Sequence, residues 1–253
     1  MNDPHVLALH YTLTPIEHPA YENPPALRVQ QPEFELELRD GHAVLQMILH
    51  CATQEQARSM VEPFLRAWEI DSALNSGGRP QLQFRFQRAK IIDRNPSPSG
   101  TVQLRAASAR SRGQAIVAAI GETARHQYPA PPTIRITADV ETLWFRYSLY
   151  KGGRDSLTGM AYFCMTYVEW LKRDQAADLA ISNQILSTLG RLTSIGDAMT
   201  ARKWDRPRER RRHTSKEFEW MDAAVRALIR RVGERAAGTP PRQLTMADLP
   251  PLD

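Results

Sequence analysis

The chain has 253 residues, 42% of them hydrophobic and 24% charged, and a formal net charge of +5 at pH 7. This balance is typical of globular proteins, and no apolar run has the length that a membrane-spanning helix needs. The N-terminal segment lacks the basic and apolar regions of a secretory signal, so we expect a cytoplasmic protein without a membrane partner. Cys51 and Cys164 lie far apart and lack the spacing of metal ligands, so we expect two buried reduced thiols, no metal and no cofactor.

Residues 1–130 are predicted to form an α+β domain, with an antiparallel sheet and a helix packed on one face. Hydrophobic and charged residues alternate over 33–39, as in a strand that is buried on one side. Asp40-Gly41, a dipeptide that favours tight hairpin turns, separates this strand from a partner over 42–49. Further strands are predicted over 6–12, 82–92 and 102–106.

The helix of this domain is predicted to begin after Thr53, because Thr53 and Gln56 have the spacing of a capping box. Apolar residues then recur at helical spacing and predict one buried stripe: Ala57, Met60, Val61, Phe64, Leu65 and Trp68. The glycines of Ser76-Gly77-Gly78 are predicted to end this helix. A shorter helix is predicted over 114–126, and the prolines that follow it favour a domain boundary near residue 130.

Residues 131–253 are predicted to form an all-α bundle of about four helices, followed by a C-terminal tail. Apolar stripes predict these helices over 140–150, 157–171, 179–192 and 215–234. The second helix is apolar on nearly all sides, which predicts a central position in the bundle. Thr214 and Glu217 form a capping box before the last helix, whose predicted buried stripe begins at Phe218. The tail is predicted to pack back through Leu244, Met246 and Leu249.

The positive charge of the chain is concentrated in the basic segment, residues 201–213, which is predicted to be an exposed loop. Between Arg202 and Lys216 there are eight Lys or Arg residues and two acids, a local charge of +6 that leaves −1 for the rest of the chain. Such a cluster releases counterions when it binds a phosphate backbone, and a tryptophan within it can stack on an exposed base. The residues predicted to bind nucleic acid are Arg202, Lys203, Trp204, Arg210, Arg211 and Arg212.

Arg208 precedes His213 with four residues between them, and Arg206 precedes it with six. This R-x4–6-H spacing, in a basic setting before the last helix of a bundle, resembles the HEPN superfamily of RNA-cleaving toxins and antiviral effectors. The resemblance covers only 137–235. It implies that Arg208 or Arg206 binds the scissile phosphate, that His213 transfers the proton of the 2′-hydroxyl, and that two such pairs meet in a homodimer. Some antiphage proteins of this superfamily also look similar in placing an α+β domain before the bundle.

The residue types suit this chemistry. RNA cleavage without a metal needs a cation that stabilises the charge developing on phosphorus and a group that moves protons near neutral pH. Arginine provides the first and histidine the second. Two other interpretations remain open: the basic segment binds nucleic acid without cleaving it, or it is a solvated charge run in an interaction scaffold of a larger bacterial complex. For Trp204, the alternative to stacking on an exposed base is that it packs on the bundle and anchors the loop.

Overall fold

A computed structural model describes residues 2–14, 21–96, 125–174, 179–196, 211–239 and 242–252. The chain is an α+β protein, with an antiparallel sheet formed by its N-terminal strands and helices throughout its C-terminal half, as the sequence predicted. It divides into two units: unit 1 comprises Met1–Glu62 and Gln83–Pro129, and unit 2 comprises Pro63–Leu82 and Ala130–Asp253. Residues 63–82 therefore belong to unit 2, whereas the sequence analysis had placed them in the first domain.

The sheet of unit 1 contains β1 Pro4–Leu13, β2 Leu27–Gln30, β3 Phe34–Arg39, β4 His42–Met47 and β5 Phe84–Asp93. All pairings are antiparallel, and the strand order is β2-β3-β4-β1-β5. β3 and β4 form the predicted hairpin, in which Asp40 and Gly41 have φ values of 51° and 73°. Both values lie in the left-handed region that a tight hairpin turn requires, so the predicted turn is confirmed.

One face of this sheet is hydrophobic and buried. Leu36 is paired with Leu45, which is paired with Leu9, and these three leucines share a face because cross-strand partners point the same way. Helix α1, Gln54–Asn75, begins in unit 1, where its Arg58 guanidinium lies 4.7 Å from the centre of the Phe86 ring on β5. The first part of α1 therefore packs on the sheet, as predicted.

The capping box predicted for α1 is only half formed. Thr53 Oγ1 accepts a hydrogen bond from the backbone N–H of Gln56 at 3.2 Å, but Gln56 Oε1 accepts from Ala52 rather than from Thr53. The predicted end of the helix is confirmed. α1 stops at Asn75, and Gly78 beyond it has a φ of 81°, a conformation that favours glycine.

Unit 2 contains the end of α1 and, among the described residues, α2 Ala138–Lys151, α3 Leu157–Asp174, α4 Asn183–Leu192 and α5 Ser215–Ala236. The apolar stripes of these helices meet in one core, whose fully buried side chains include Trp220, Tyr147, Met160 and Leu143. The end of α1 contributes Ile70 and Leu74 to the same core. Unit 2 is thus the predicted helical bundle, completed by a helix segment from earlier in the chain.

The C-terminal tail packs on this bundle. Leu244 and Leu249 are buried in the core of unit 2, so the prediction that the tail packs back is confirmed. Leu244 also forms an isolated bridge with Ile181. Residues 179–181 are not helical for this reason, and α4 begins at Asn183 rather than at the predicted residue 179.

One prediction about the aromatic residues of unit 2 is wrong: Phe218 is 45% exposed and does not belong to the buried stripe of α5. The predicted central position of α3 is confirmed, since this helix packs against α2, α4 and α5. One side of α3 is nonetheless open, because Phe163 and Tyr167 are half-buried and Trp170 is 38% exposed. None of the helices in the described ranges combines the length and the apolar character that a membrane crossing requires.

The segment between the two predicted domains is described only at its end. The strand predicted over 102–106 lies outside the described residues, and so does the helix predicted over 114–126 as far as residue 124. Arg125 forms an isolated parallel bridge with Tyr21, so the helix does not extend to its predicted end at residue 126.

Candidate functional site

The predicted site lies at the start of α5, where the basic segment is described at Arg211, Arg212 and His213. Its other predicted members lie outside the described residues: Arg202, Lys203, Trp204, Arg206, Arg208 and Arg210. Of the predicted Arg–His pairs, only the histidine is therefore described. The end of α4 and the cap of α5 complete its surroundings.

The imidazole of His213 is held on two sides. Its Nε2 lies 3.0 Å from the carbonyl oxygen of Leu192, the last residue of α4, and its ring centre lies 5.3 Å from that of Phe218. A backbone carbonyl can only accept a hydrogen bond, so Nε2 carries a hydrogen and donates it. Nδ1 is then the nitrogen that can take up and release a proton.

The start of α5 is a complete capping box, as the sequence predicted. Thr214 Oγ1 accepts from the backbone N–H of Glu217 at 3.2 Å, and Glu217 Oε2 accepts from the backbone N–H of Thr214 at 2.8 Å. These two bonds satisfy backbone donors that the first turn of a helix leaves unpaired. They also fix the chain immediately after His213, which places the imidazole at a rigid helix entrance.

Glu217 has a second role that the sequence analysis missed. The guanidinium of Arg211 donates to both carboxylate oxygens of Glu217, at 2.8 and 2.6 Å, and also to the carbonyl oxygen of Arg212 at 3.0 Å. Glu217 is buried. Its hydrogen bonds from Arg211, and then that from Thr214, lower the pKa of its carboxyl from 4.5 to about 2. The carboxylate therefore remains ionised over the whole neutral range.

This ion pair changes the expected role of Arg211. The sequence analysis grouped Arg211 with the cations that bind nucleic acid, but two of its N–H groups point at a buried carboxylate in a bidentate arrangement. Arg211 thus secures the chain before the cap, two residues before His213. The sequence shows an acid at the third position of the last helix and an arginine six residues before it. No local sequence rule predicts that the two form an ion pair.

The side chain of Arg212, unlike that of Arg211, is not directed at a buried carboxylate in the described structure. Its side chain is exposed, and so is that of Lys216 one turn later. Both lie at the N-terminus of α5, where the helix dipole adds partial positive charge. The described start of α5 thus carries positive potential on its solvent side, which suits a phosphate group.

The two cysteines have the predicted character. Cys51 and Cys164 are buried free thiols. Burial raises the pKa of Cys164 to about 12, so this thiol is protonated at neutral pH and is a poor nucleophile. Across the described residues, no group of three or more His, Cys, Asp and Glu side chains is arranged to hold a metal ion.

Neither a protein-family model, nor a curated protein, nor a solved structure matches this chain. Folds of this general class support many unrelated functions. The chemistry of the site around His213 is therefore the basis for a function of this chain.

Proposed function

We propose that the chain is an RNA-directed protein whose unit 2 is a HEPN-like, metal-independent endoribonuclease of the toxin or antiphage-effector type. His213 and either Arg208 or Arg206 carry the reaction. The observation that supports this most directly is the hydrogen bond from His213 Nε2 to Leu192, which leaves Nδ1 for proton transfer. His213 Nδ1 makes no hydrogen bond to any described residue.

The reaction follows from these groups. Nδ1 of His213 takes the proton of a ribose 2′-hydroxyl, and the 2′ oxygen attacks the adjacent phosphorus. The bond from phosphorus to the 5′ oxygen breaks, and the leaving oxygen takes up a proton from solvent. The guanidinium of Arg208 or Arg206 stabilises the negative charge of the phosphorane. The products are a 2′,3′-cyclic phosphate and a 5′-hydroxyl, and no step uses a metal ion.

The electrostatics at the start of α5 support binding of the RNA backbone. The exposed cations Arg212 and Lys216 flank His213 in sequence, and the helix N-terminus itself favours an anion. Because Arg211 is bound to Glu217, it contributes to the rigidity of the site rather than to the affinity for phosphate. In this proposal, the predicted phosphate contacts are therefore the other cations of the basic segment.

The decisive experiment incubates the full chain with labelled single-stranded RNA in EDTA. The variants are His213→Ala, Arg208→Ala and Arg206→Ala, and His42→Ala is the matched control because His42 is an exposed histidine in unit 1. The wild-type protein and the control are expected to release fragments that end in a 2′,3′-cyclic phosphate. His213→Ala is expected to release none.

Two results would overturn the nuclease proposal. The first is RNA that stays intact with the wild-type protein. The second is cleavage that persists in His213→Ala, since this would place the activity elsewhere or in a contaminant. The homodimer implied by the resemblance is tested by sedimentation, where a monomer during turnover would exclude a cleft built from two sites.

A second function, a non-catalytic interaction subunit, is supported by the exposed face of α3. Phe163, Tyr167 and Trp170 form a row there, with successive ring centres 5.8 and 5.6 Å apart, beside an open cavity of about 440 Å³. Aromatic rows of this kind are common at protein interfaces. A salt-sensitive shift of RNA in a gel supports either RNA-directed function, whereas no shift at low salt leaves only the scaffold.

A further inference from the structure

Strand β5 carries a row of exposed cations on the sheet of unit 1. Arg85, Arg88 and Lys90 are exposed, and the residues between them include the half-buried Phe86 and Ala89. β5 is an edge strand, paired on one side with β1 among the described residues. Its cations therefore lie on an accessible part of the sheet, far in sequence from the basic segment.

A β-bulge places these cations on one face. Tyr11 is paired with Phe86 and His10 with Arg88, so Gln87 is an extra residue in β5. Side chains alternate between the two faces of a strand, and one inserted residue reverses the faces of everything beyond it. Without the bulge, Arg88 and Lys90 would share the buried face with Phe86. With it, they join Arg85 on the opposite face.

We define the cationic face as Arg85, Arg88 and Lys90 with His10 beside them. None of the three β5 cations forms an ion pair with a described residue. The nearest acids across the sheet on this face are Glu35 and Glu37, which pair with Gln46 and Val44 on β4. Those two residues in turn pair with Ala8 and His10 on β1. Two strand spacings therefore separate both acids from β1, about 10 Å, which exceeds the Debye length of about 8 Å at physiological salt.

The surroundings of His10 agree with this positive potential. Burial first, and then the charges of Arg88 and Lys90, lower the pKa of His10. The opposite edge of the sheet differs, because there Arg28 is paired with Glu37 at 3.6 Å and Arg39 with Asp40 at 3.4 Å. Among the described residues, the cations without an acid partner thus lie on the side of this face formed by β1 and β5.

We propose that the cationic face binds the phosphate backbone of single-stranded RNA. The inference rests on the proposed function in taking RNA as the ligand, and it adds a second contact surface in unit 1. Alternate strand positions are about 7 Å apart, so the three cations form an extended row along one strand. Polar groups lie beside Arg85, where Gln87 Nε2 donates to Thr12 Oγ1 at 2.8 Å. This polar setting favours a phosphate backbone over an apolar protein surface.

The experiment measures binding of a fluorescent 20-nucleotide oligouridine to the full chain over a range of NaCl concentrations. All proteins carry His213→Ala, which prevents cleavage. Arg85→Gln/Arg88→Gln/Lys90→Gln is compared with a control triple variant that removes the same charge from exposed arginines paired with acids. The control is Arg28→Gln/Arg39→Gln/Arg242→Gln.

Each phosphate contact on a single strand contributes about 0.7 to the slope of log K against log salt concentration. The β5 variant is therefore expected to reduce this slope by about 2, and the control to leave it unchanged. The single variant Arg88→Gln is expected to reduce it by about 0.7. Equal melting temperatures are expected throughout, because the exchanged side chains are exposed.

An unchanged slope in the β5 variants would overturn the inference while leaving binding by the basic segment intact. No binding by any protein at low salt would remove the proposed function as well. A third result concerns the class of partner. Polyglutamate that competes as well as oligouridine at equal charge would overturn the assignment to RNA and favour an acidic protein.

Discussion

The guanidinium of Arg211 and the buried carboxylate of Glu217 are joined by two hydrogen bonds of 2.8 and 2.6 Å at the entrance to α5. The same carboxylate caps the helix through Thr214. One acid therefore secures both the helix terminus and the chain that leads into it. His213 lies between these two attachments, so its position depends on Glu217 although the two side chains form no hydrogen bond with each other.

Glu217→Gln is expected to remove a pH-dependent part of the stability. The pKa of Glu217 is lowered from 4.5 to about 2, so this stabilisation is present above about pH 4.5 and is lost as the pH falls towards 2. The shift corresponds to about 3 kcal/mol, which the solvent exposure of Arg211 reduces to about 2 kcal/mol. Urea unfolding between pH 7 and pH 2.5 measures it.

Glu219→Gln is the matched control for this measurement, since Glu219 is an exposed acid in the same turn of α5. The control is expected to keep the acid-dependent loss of stability seen in the wild-type protein. A Glu217→Gln variant that loses stability between pH 4.5 and 2 as steeply as the wild-type protein would contradict the assignment.

Arg211→Gln is expected to lower stability without changing RNA binding, and Arg212→Gln is expected to weaken RNA binding with little change in stability. Arg211→Gln leaves the buried carboxylate of Glu217 without its cation and costs about 2 kcal/mol of the free energy of unfolding. Arg212→Gln changes an exposed side chain and costs less than about 0.5 kcal/mol. For RNA, Arg212→Gln reduces the salt slope by about 0.7 and Arg211→Gln leaves it unchanged. Two variants with equal effects in both assays would refute this division of roles.

Phe218→Ala is expected to slow RNA cleavage by about tenfold, because the ring that contacts His213 keeps the imidazole oriented. Phe218 is 45% exposed, so the loss of stability is expected to be only about 1 kcal/mol. Phe218→Tyr restores the ring and should restore the rate. Phe145→Ala is the control, since Phe145 is an exposed phenylalanine on α2 (63%), and a similar loss of rate in it would argue against a positioning role.

Gly78→Ala is expected to cost about 3 kcal/mol, because a Cβ there would lie 2.4 Å from the hydroxyl oxygen of buried Tyr147 and the φ of 81° is unfavourable. Gly77→Ala is the matched control. Its φ is 69°, but no atom lies within 4 Å of the added carbon, so it should cost about 1 kcal/mol. Thermal unfolding separates the steric cost from the backbone cost, and equal losses would show that Tyr147 does not restrict this turn.

Gly233→Ala is expected to destabilise the protein by about 1 to 2 kcal/mol, although alanine is the better helix former. The added Cβ would lie 2.7 Å from Cβ of Ile134, so α5 packs closely on the chain there. Gly190→Ala in α4 is the control, since its Cβ would meet only Met165 Sδ at 3.6 Å. It should stabilise by about 0.5 to 1 kcal/mol. Stabilisation by Gly233→Ala would contradict the close approach.

Several features of the fold were predictable from the sequence because their causes are local. The hairpin turn at Asp40-Gly41 follows from two residues that tolerate positive φ. The capping box of Thr214 and Glu217 follows from two side chains three residues apart. Where a distant segment intervened the prediction failed, as at the start of α4, where Ile181 forms an isolated bridge with Leu244.

The candidate site was predictable only in part. The sequence identified His213, and only the tertiary structure brought it to the carbonyl of Leu192, 21 residues earlier, and thereby determined which ring nitrogen is available. Likewise, the sequence identifies Arg211 as a cation. Only the tertiary structure, which buries Glu217 beside it, gives this cation a structural role as the partner of the Glu217 carboxylate.

The sequence by itself determined the helices, the hairpin and the concentration of positive charge before α5, since each depends on residues within a few positions of one another. The tertiary structure decided which faces these elements present. The bulge at Gln87 depends on pairing with β1 some 75 residues away, and it alone brings Arg85, Arg88 and Lys90 to one face. Pairing between distant segments sets such registers, and no local pattern in a single segment contains that information.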